Sequence, residues 1–225
     1  MQPREDDRST TTRALVKAIL RHAEHYSWEV PANGRLTLVL EPNVAVINVF
    51  HSKYRQPGTT AIHSHTVDFR SDIVGGVMRQ YRYLRVTDAG EFGSAPLKNT
   101  DAGHGSAPPK NGSAPRRYWE QELTLDGKLS RGGPMDCYLE ETEIETYAAG
   151  EFYEITADEI HQSVPEDGTV TLITRQHKTE PSSVSTFWPW APLAAGARPS
   201  DKIIPKEAED EVVRDVMSVA LKRWF

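Results

Sequence analysis

The chain has 225 residues, of which 38 % are hydrophobic and 26 % are charged. These proportions are typical of a single globular domain and exclude a disordered chain. The net charge of -6 argues against nucleic acid as a partner, because an acidic chain gains little from counterion release. The sequence has no run of about 18 apolar residues, so we expect no membrane span.

The cysteine content and the first residues set the expected compartment and the available metal ligands. Cys137 is the only cysteine, which excludes a disulfide framework within the chain and a cysteine-based zinc cluster. Any metal site must therefore use histidine and carboxylate ligands. The first eight residues are almost all polar and lack the apolar core of a secretory signal, so we expect the chain to reside in the cytoplasm.

A helix is the first predicted element, over residues 9–28, and it forms an N-terminal extension that we place at 1–35. Leu15, Ile19, Ala23 and Tyr26 recur at three- and four-residue steps. Residues with this spacing share one side of a helix. We therefore expect these four side chains to form its buried face.

Short strand-like segments follow, rich in β-branched residues and separated by turn residues. They are residues 36–40, 44–50, 59–65, 73–86, 117–125, 138–147, 150–156, 169–175 and 183–187. No helical pattern separates them, which predicts an all-β core, an antiparallel sandwich or barrel, over residues 36–190.

Two further segments differ from these strands. Residues 93–115 repeat Gly-Ser-Ala-Pro three times, which predicts a flexible surface insertion, with a lid or partner-binding loop as the alternative. Residues 191–225 are predicted to form a linker and a C-terminal helix. Its apolar stripe should pack on the outside of the β-core, or else form a homodimer contact. The stripe consists of Ala208, Val212, Val213, Val216, Met217, Ala220, Leu221 and Trp224.

A His-x-His pair, His63 and His65, lies in one of the predicted strands. Side chains two apart on a strand point to the same face, so both imidazoles can reach one metal ion. A third histidine, His161, follows a predicted strand and turn and lies eleven positions after Gly150.

These residues resemble the two motifs of the cupin superfamily, commonly written G-x5-H-x-H-x3,4-E-x6-G and G-x5-P-x-G-x2-H-x3-N. In the second motif Gly150 and His161 match. Thr156, Asp158 and Pro165 replace the motif's proline, second glycine and asparagine.

The first motif matches in part. His63 and His65 correspond to its histidines, whereas Gly58 is one position too close to them. The positions of the glutamate hold Phe69 and Arg70, and Asp68 is one position early. The resemblance covers roughly residues 36–190 and implies a cupin-like antiparallel β-barrel flanked by the two helices.

The resemblance also implies a metal centre held by His63, His65 and His161, with Asp68 as a possible fourth ligand. Strand alternation argues against Asp68, since it is an odd step from His65, although a bulge would reverse this. Imidazoles suit iron, zinc, copper, nickel or manganese. The three-histidine version is similar to the thiol dioxygenases, such as cysteine dioxygenase, which implies iron(II) beside bound substrate and dioxygen.

That family holds the substrate carboxylate with an arginine. Arg70 is a candidate catalytic residue by this resemblance. Tyr153 is a second candidate catalytic residue, as a hydrogen-bond donor to bound oxygen or substrate, or else a core or rim residue. Arg79, Arg82 and Arg175 are the candidate substrate-binding residues, and solvated strand positions are the alternative for each arginine. Tyr81 and Tyr83 are further candidate hydrogen-bond donors, or else core residues.

The expected function is that of a mononuclear non-haem iron cupin oxygenase that acts on a small molecule. Two alternatives remain open at this point. One is a cupin isomerase or lyase that uses zinc, nickel or manganese as a Lewis acid. The other is a non-catalytic cupin that binds a small ligand, since one fold hosts many functions.

Overall fold

The structure is a computed structural model that describes residues 5–29, 33–42, 44–55, 62–86, 115–124, 135–176, 183–189 and 206–225. Within these ranges it contains two α-helices and eleven β-strands. The helices are α1 (Glu5–Arg21) and α2 (Lys206–Trp224), and a 3-10 turn at Ala23–His25 follows α1. The strands are β1 (Asn33–Glu41), β2 (Ala45–Arg55), β3 (Ile62–His63), β4 (Asp68–Gly75), β5 (Val77–Val86), β6 (Arg116–Thr124), β7 (Met135–Ala148), β8 (Phe152–Ile155), β9 (Ile160–Pro165), β10 (Val170–Gln176) and β11 (Ser183–Pro189).

The strands form two antiparallel sheets, so the expected antiparallel β-rich core with two flanking helices is confirmed at this level. The open sheet has the order β1-β2-β10-β4-β8. The curled sheet has the order β11-β3-β9-β5-β7-β6, and β6 pairs back onto β11. An apolar cluster with members from both sheets, including Phe69 on β4, Met78 on β5 and Tyr153 on β8, lies between them.

The two helices cover the outer face of the open sheet. Their apolar side chains form one buried cluster with residues of β1, β2 and β10, such as Leu36, Ile47 and Val170. Val216, Met217 and Ala220 of the predicted C-terminal stripe belong to this cluster. The stripe therefore packs on the β-core within the chain, and a homodimer stays a prediction.

The buried face of α1 differs from the expected one. Leu15 and Tyr26 are 58 % and 43 % exposed, whereas Val16 and Leu20 are buried together with Ile19. The α-helix ends at Arg21, and the 3-10 turn that follows has a different period. Two of the four predicted residues, Ile19 and Ala23, are nevertheless buried. Tyr26 lies beyond the end of the α-helix, so the helical period does not apply to it.

Replacing Leu20 by alanine is expected to lower the free energy of unfolding by about 2–3 kcal/mol, because a fully enclosed side chain leaves a cavity. Leu15→Ala makes the same chemical change at an exposed position and should alter it by less than about 0.5 kcal/mol. Urea denaturation of both variants measures the difference. Equal losses would contradict the observed orientation of α1.

The predicted strand over residues 73–86 is two strands separated by Gly76. This glycine has φ +90, a conformation that L side chains rarely adopt. The chain passes there from β4 in the open sheet to β5 in the curled sheet. The turn thus lets consecutive residues contribute to both walls of the space between the sheets.

Tyr81 and Tyr83 lie in a third cluster, within the curled sheet. They are buried there with Tyr118, Cys137 and Phe187. The hydroxyl of Tyr83 donates a hydrogen bond to the side-chain oxygen of Gln162 at 3.0 Å. Both tyrosines are therefore core residues, which is the alternative that the sequence left open for them, and Cys137 is buried.

Neither described helix is long and apolar enough to cross a membrane. The repetitive segment at 93–115 lies outside the described residues except for residue 115. Its predicted role as an insertion therefore stays a prediction.

Candidate metal site

The structure brings the three predicted histidines together. His63 ends β3 and lies directly opposite His161 on β9, and His65 follows two residues later. The Nε2 atoms of His65 and His161 are 3.0 Å apart, and the three rings have centroid separations of 4.7, 4.7 and 5.0 Å. One ring nitrogen from each residue lies within 4.8 Å of the others. We call these residues the histidine triad.

This spacing fits the coordination of one metal ion. Two nitrogen ligands at about 2.0–2.1 Å from an ion, separated by 90° to 110°, lie about 2.9–3.4 Å apart. The 3.0 Å separation of the two Nε2 atoms falls in that range. A divalent ion therefore suits the donor set.

The histidine triad is suited to accept a metal because two of its imidazoles are held neutral. Burial lowers the pKa of the His65 imidazole to about 3, and the neighbouring His63 and Arg35 contribute to the shift. Burial also holds the pKa of His161 well below its usual value. The charges of the other two histidines lower it further. Near neutral pH both rings keep the nitrogen lone pair that a metal ion needs.

Backbone contacts hold the segment that carries His63 and His65 against the turn before His161. The N–H of Asp158 donates to the carbonyl of His65 at 3.1 Å. Asp158 has φ 66 and is the only described residue other than glycine with positive φ. It stands where the cupin motif has a glycine, so this position does require the left-handed conformation. The turn fixes the relative placement of His65 and His161.

Asp68 contacts the same turn and is not grouped with the histidine triad. Its Oδ1 atom accepts a hydrogen bond from the N–H of Ala157 at 2.7 Å, and the side chain is buried. The potential ligand atoms that converge come from the three histidines alone among the described residues. In the structure Asp68 ties β4 to the turn before His161, and its role as a fourth ligand stays a prediction.

Arg70, a predicted catalytic residue, does not line the cavity at the histidine triad. Its Nε and Nη2 atoms donate to Oδ1 of Asp72 at 3.0 and 2.8 Å, and its guanidinium lies 3.5 Å from the ring centroid of Phe152. Phe69 and Ser71, which alternate with Arg70 on β4, are buried. Arg70 thus lies on the opposite face of the strand, away from the histidine triad.

The three other arginines also lie outside the cavity. Arg79 and Arg175 are exposed, and the charge of Arg175 makes a small contribution to the low pKa of His65. Arg82 is half-buried and forms ion pairs with Glu145 and Glu159. None of the three lines the cavity at the histidine triad.

Tyr153 is brought to the site as expected. It is buried and lines a cavity of about 140 Å³ that is bounded on one side by the histidine triad. Burial raises the pKa of its phenol, and nearby Ser163 and Gln80 oppose that shift through hydrogen bonds. Phe69 packs edge-on against His65, with ring centroids 4.7 Å apart, and covers the apolar side of the cavity.

Sequence reasoning missed the polar residues that line the rest of this cavity. Most belong to the open sheet or its turns, and they are Arg35, Asn48, His51, Ser52, Ser163, Asp167 and Thr171. The sequence held a signal for one of them. Asn48 interrupts an otherwise apolar strand, which indicates a polar side chain that is buried among apolar neighbours. The predicted first strand began at Leu36, so Arg35 lay just outside it.

A second group with potential metal ligands lies at the end of α1. It consists of His22, Glu24 and His25, and all three side chains are exposed. Exposed residues hold an ion weakly because nothing fixes their geometry. We call this group the helix-end cluster and use it as a control below.

Comparison with models of known protein families gives no match, and a search of curated proteins gives none either. The fold and the geometry of the histidine triad are therefore the observations from which function is inferred.

Proposed function

We propose that this chain is a mononuclear metalloenzyme of the cupin type, an oxygenase that holds iron(II) with His63, His65 and His161 and acts on a small molecule. The observation that carries the proposal is the convergence of three imidazoles at one side of a cavity, with two Nε2 atoms 3.0 Å apart. Three protein ligands leave coordination positions open, as in catalytic metal sites.

The cupin assignment is supported by the backbone as well as by the histidines. Gly150 and Asp158 occupy glycine positions of the second motif, and both have positive φ, 98 and 66. The antiparallel sheets enclose the cavity between them, as the resemblance implies. The position of His161 in the sequence and the backbone conformation of Gly150 and Asp158 thus both agree with the second cupin motif.

The choice of iron(II) follows from the donor set and from the likeness to thiol dioxygenases. All three donors are imidazole nitrogens, and no thiolate or carboxylate of the described residues joins them. Iron(II), when bound, supplies redox chemistry with dioxygen beside the substrate. In this arrangement Phe69 packs against the ring of His65, and Tyr153 lines the cavity that the substrate would enter.

Elemental analysis of the untagged protein, followed by oxygen-uptake measurements on the iron-loaded form, tests the proposal. We expect near-stoichiometric iron and oxygen consumption with a small acid or thiol. Zinc, nickel or manganese without oxygen uptake would replace it by Lewis-acid isomerase or lyase chemistry. A protein that takes up no metal after reconstitution with ferrous iron would favour a ligand-binding protein instead.

A further inference from the structure

Part of the cavity wall that belongs to the open sheet is polar, and this part is called the polar wall. Asn48 on β2 lies directly opposite Thr171 on β10 and opposite Thr37 on β1. Arg35 lies two residues before Thr37, on the same face of β1. Arg35, Asn48 and Thr171 all line the cavity, whereas the third histidine of the triad comes from β9 of the curled sheet. One cavity therefore lies between a polar wall and a potential metal site.

Three hydrogen-bonding groups of this wall are buried and have no partner among the described residues. They are Nε of Arg35, Nδ2 of Asn48 and Oγ1 of Thr171. The hydroxyl of Thr37 donates to Oδ1 of Asn48 at 2.9 Å, which engages the carbonyl end of that amide and leaves its N–H groups available. Buried donors without partners are unfavourable, so groups that accept hydrogen bonds belong in this space.

The polar wall carries a cation. Arg35 is the only arginine or lysine among the described lining residues. Burial lowers the pKa of Arg35 itself, and Glu29 and Tyr153 oppose that shift. An anionic ligand would compensate the buried charge and satisfy the donors together.

Acceptors are scarce in the same cavity. Asp167 is the only carboxylate among the described lining residues. Its two oxygens accept hydrogen bonds from the N–H and the hydroxyl of Ser52, at 2.7 and 3.0 Å. Partial burial acts to raise the pKa of Asp167, but these bonds, with the charges of His51 and Arg223, bring it below its usual value. Asp167 is thus an ionised group that other residues already engage.

We propose that the cavity binds a small oxygen-rich acid, a carboxylate with a neighbouring oxo or hydroxyl oxygen, and that Arg35, Asn48 and Thr171 bind the carboxylate. The inference rests on the proposed function, because the second oxygen faces the metal that the histidine triad holds. The cavity of about 140 Å³ is close to the size that accommodates benzene. A 2-oxo or 2-hydroxy acid of about six non-hydrogen atoms fits that volume.

This ligand class differs from the aminothiol that the likeness to thiol dioxygenases implies. An aminothiol such as cysteine carries an ammonium group, which needs acceptors. The carboxylate that could serve is engaged by Ser52, and the wall offers donors. An acid without an amino group therefore matches the cavity better.

Calorimetric titration of the iron-loaded protein under anaerobic conditions tests the inference, with pyruvate, lactate and cysteine as probes. We expect pyruvate or lactate to bind at least ten-fold more tightly than cysteine. Asn48→Asp keeps the acceptor for Thr37 but replaces the amide N–H groups by a charged oxygen, and Thr171→Val removes only the hydroxyl. Each should weaken binding of the oxo acid by about ten-fold or more, because the lost hydrogen bond involves a charged group.

Thr174→Val is the matched control. Thr174 lies on the same strand as Thr171 but an odd step away, so it faces the other side of the open sheet. It should leave affinity unchanged, and metal content should be the same in all variants. Tighter binding of cysteine than of pyruvate, or unchanged affinity in both cavity variants, would overturn the inference while metal binding persisted. Absence of metal from the wild type, with pyruvate still bound at the polar wall, would contradict the proposed function alone.

Discussion

His161→Ala is expected to weaken metal binding about 100- to 1000-fold. Sites with four protein ligands bind zinc with about 10–16 kcal/mol, so each ligand contributes on the order of 3 kcal/mol. His161 is 1 % exposed, and its Nε2 faces that of His65 at 3.0 Å. Neither Asp68 nor any other described carboxylate stands close enough to replace it. Competition with a chromophoric chelator measures the affinity.

Two further variants show whether the loss of metal affinity is specific to the histidine triad. His63→Ala should give a loss of similar size, because His63 lies opposite His161 across the strands. His25→Ala removes a histidine from the helix-end cluster and should leave the affinity unchanged, since that residue is exposed at the end of the first helix. Loss of metal in His25→Ala, with retention in His161→Ala, would place the site at the helix end instead.

Gly76→Ala is expected to lower the free energy of unfolding by about 3–5 kcal/mol, the sum of backbone strain and overpacking. A Cβ atom there would lie 2.5 Å from Oγ1 and 2.7 Å from Cα of Thr169. Thr169 is fully buried, and its hydroxyl donates to the carbonyl of Val77 at 3.0 Å. It cannot move aside without breaking the link between β10 and β5. Chemical denaturation provides the measurement.

Gly150→Ala separates the two causes of that loss. Gly150 also has positive φ, 98, but it lies in an exposed turn before β8. Its replacement should cost only the backbone strain, about 1–2 kcal/mol. If both alanine variants lost the same stability, crowding against Thr169 would not be the cause at Gly76.

The convergence of the three histidines could be predicted from the resemblance to the two cupin motifs, because each motif is a local pattern and the resemblance implies that the two lie together around one metal. The His-x-His spacing places two rings on one side of the chain, and the distance from Gly150 to His161 marks a turn of known shape. Asp158 shows that this turn tolerates a residue other than glycine, through its left-handed φ of 66. Motif spacing thus records backbone geometry even where the residue types have changed.

The remainder of the site could not be predicted because it depends on pairing between distant strands. Arg35 and Thr171 become neighbours of the cavity only through the registers of β1 with β2 and of β2 with β10. Strand parity places Arg70 away from the histidine triad: its neighbours Phe69 and Ser71 face inward, and Arg70 contacts Phe152 on the other side. A count along the chain does not give that parity without the start of β4.

The circular pairing of the curled sheet bears on how the site would behave during partial unfolding. Each of its strands has a neighbour on both sides, whereas β1 and β8 are the outer strands of the open sheet. Amide hydrogens at outer strands exchange with solvent through local fraying, while those of enclosed strands need larger openings. His161 lies on β9, which is enclosed by β3 and β5. His161, a proposed metal ligand, is therefore anchored in the closed sheet, whereas Arg35 of the polar wall lies on the outer strand β1. Fraying of β1 would loosen Arg35 before it reached His161, while Asn48 and Thr171 lie on the inner strands β2 and β10.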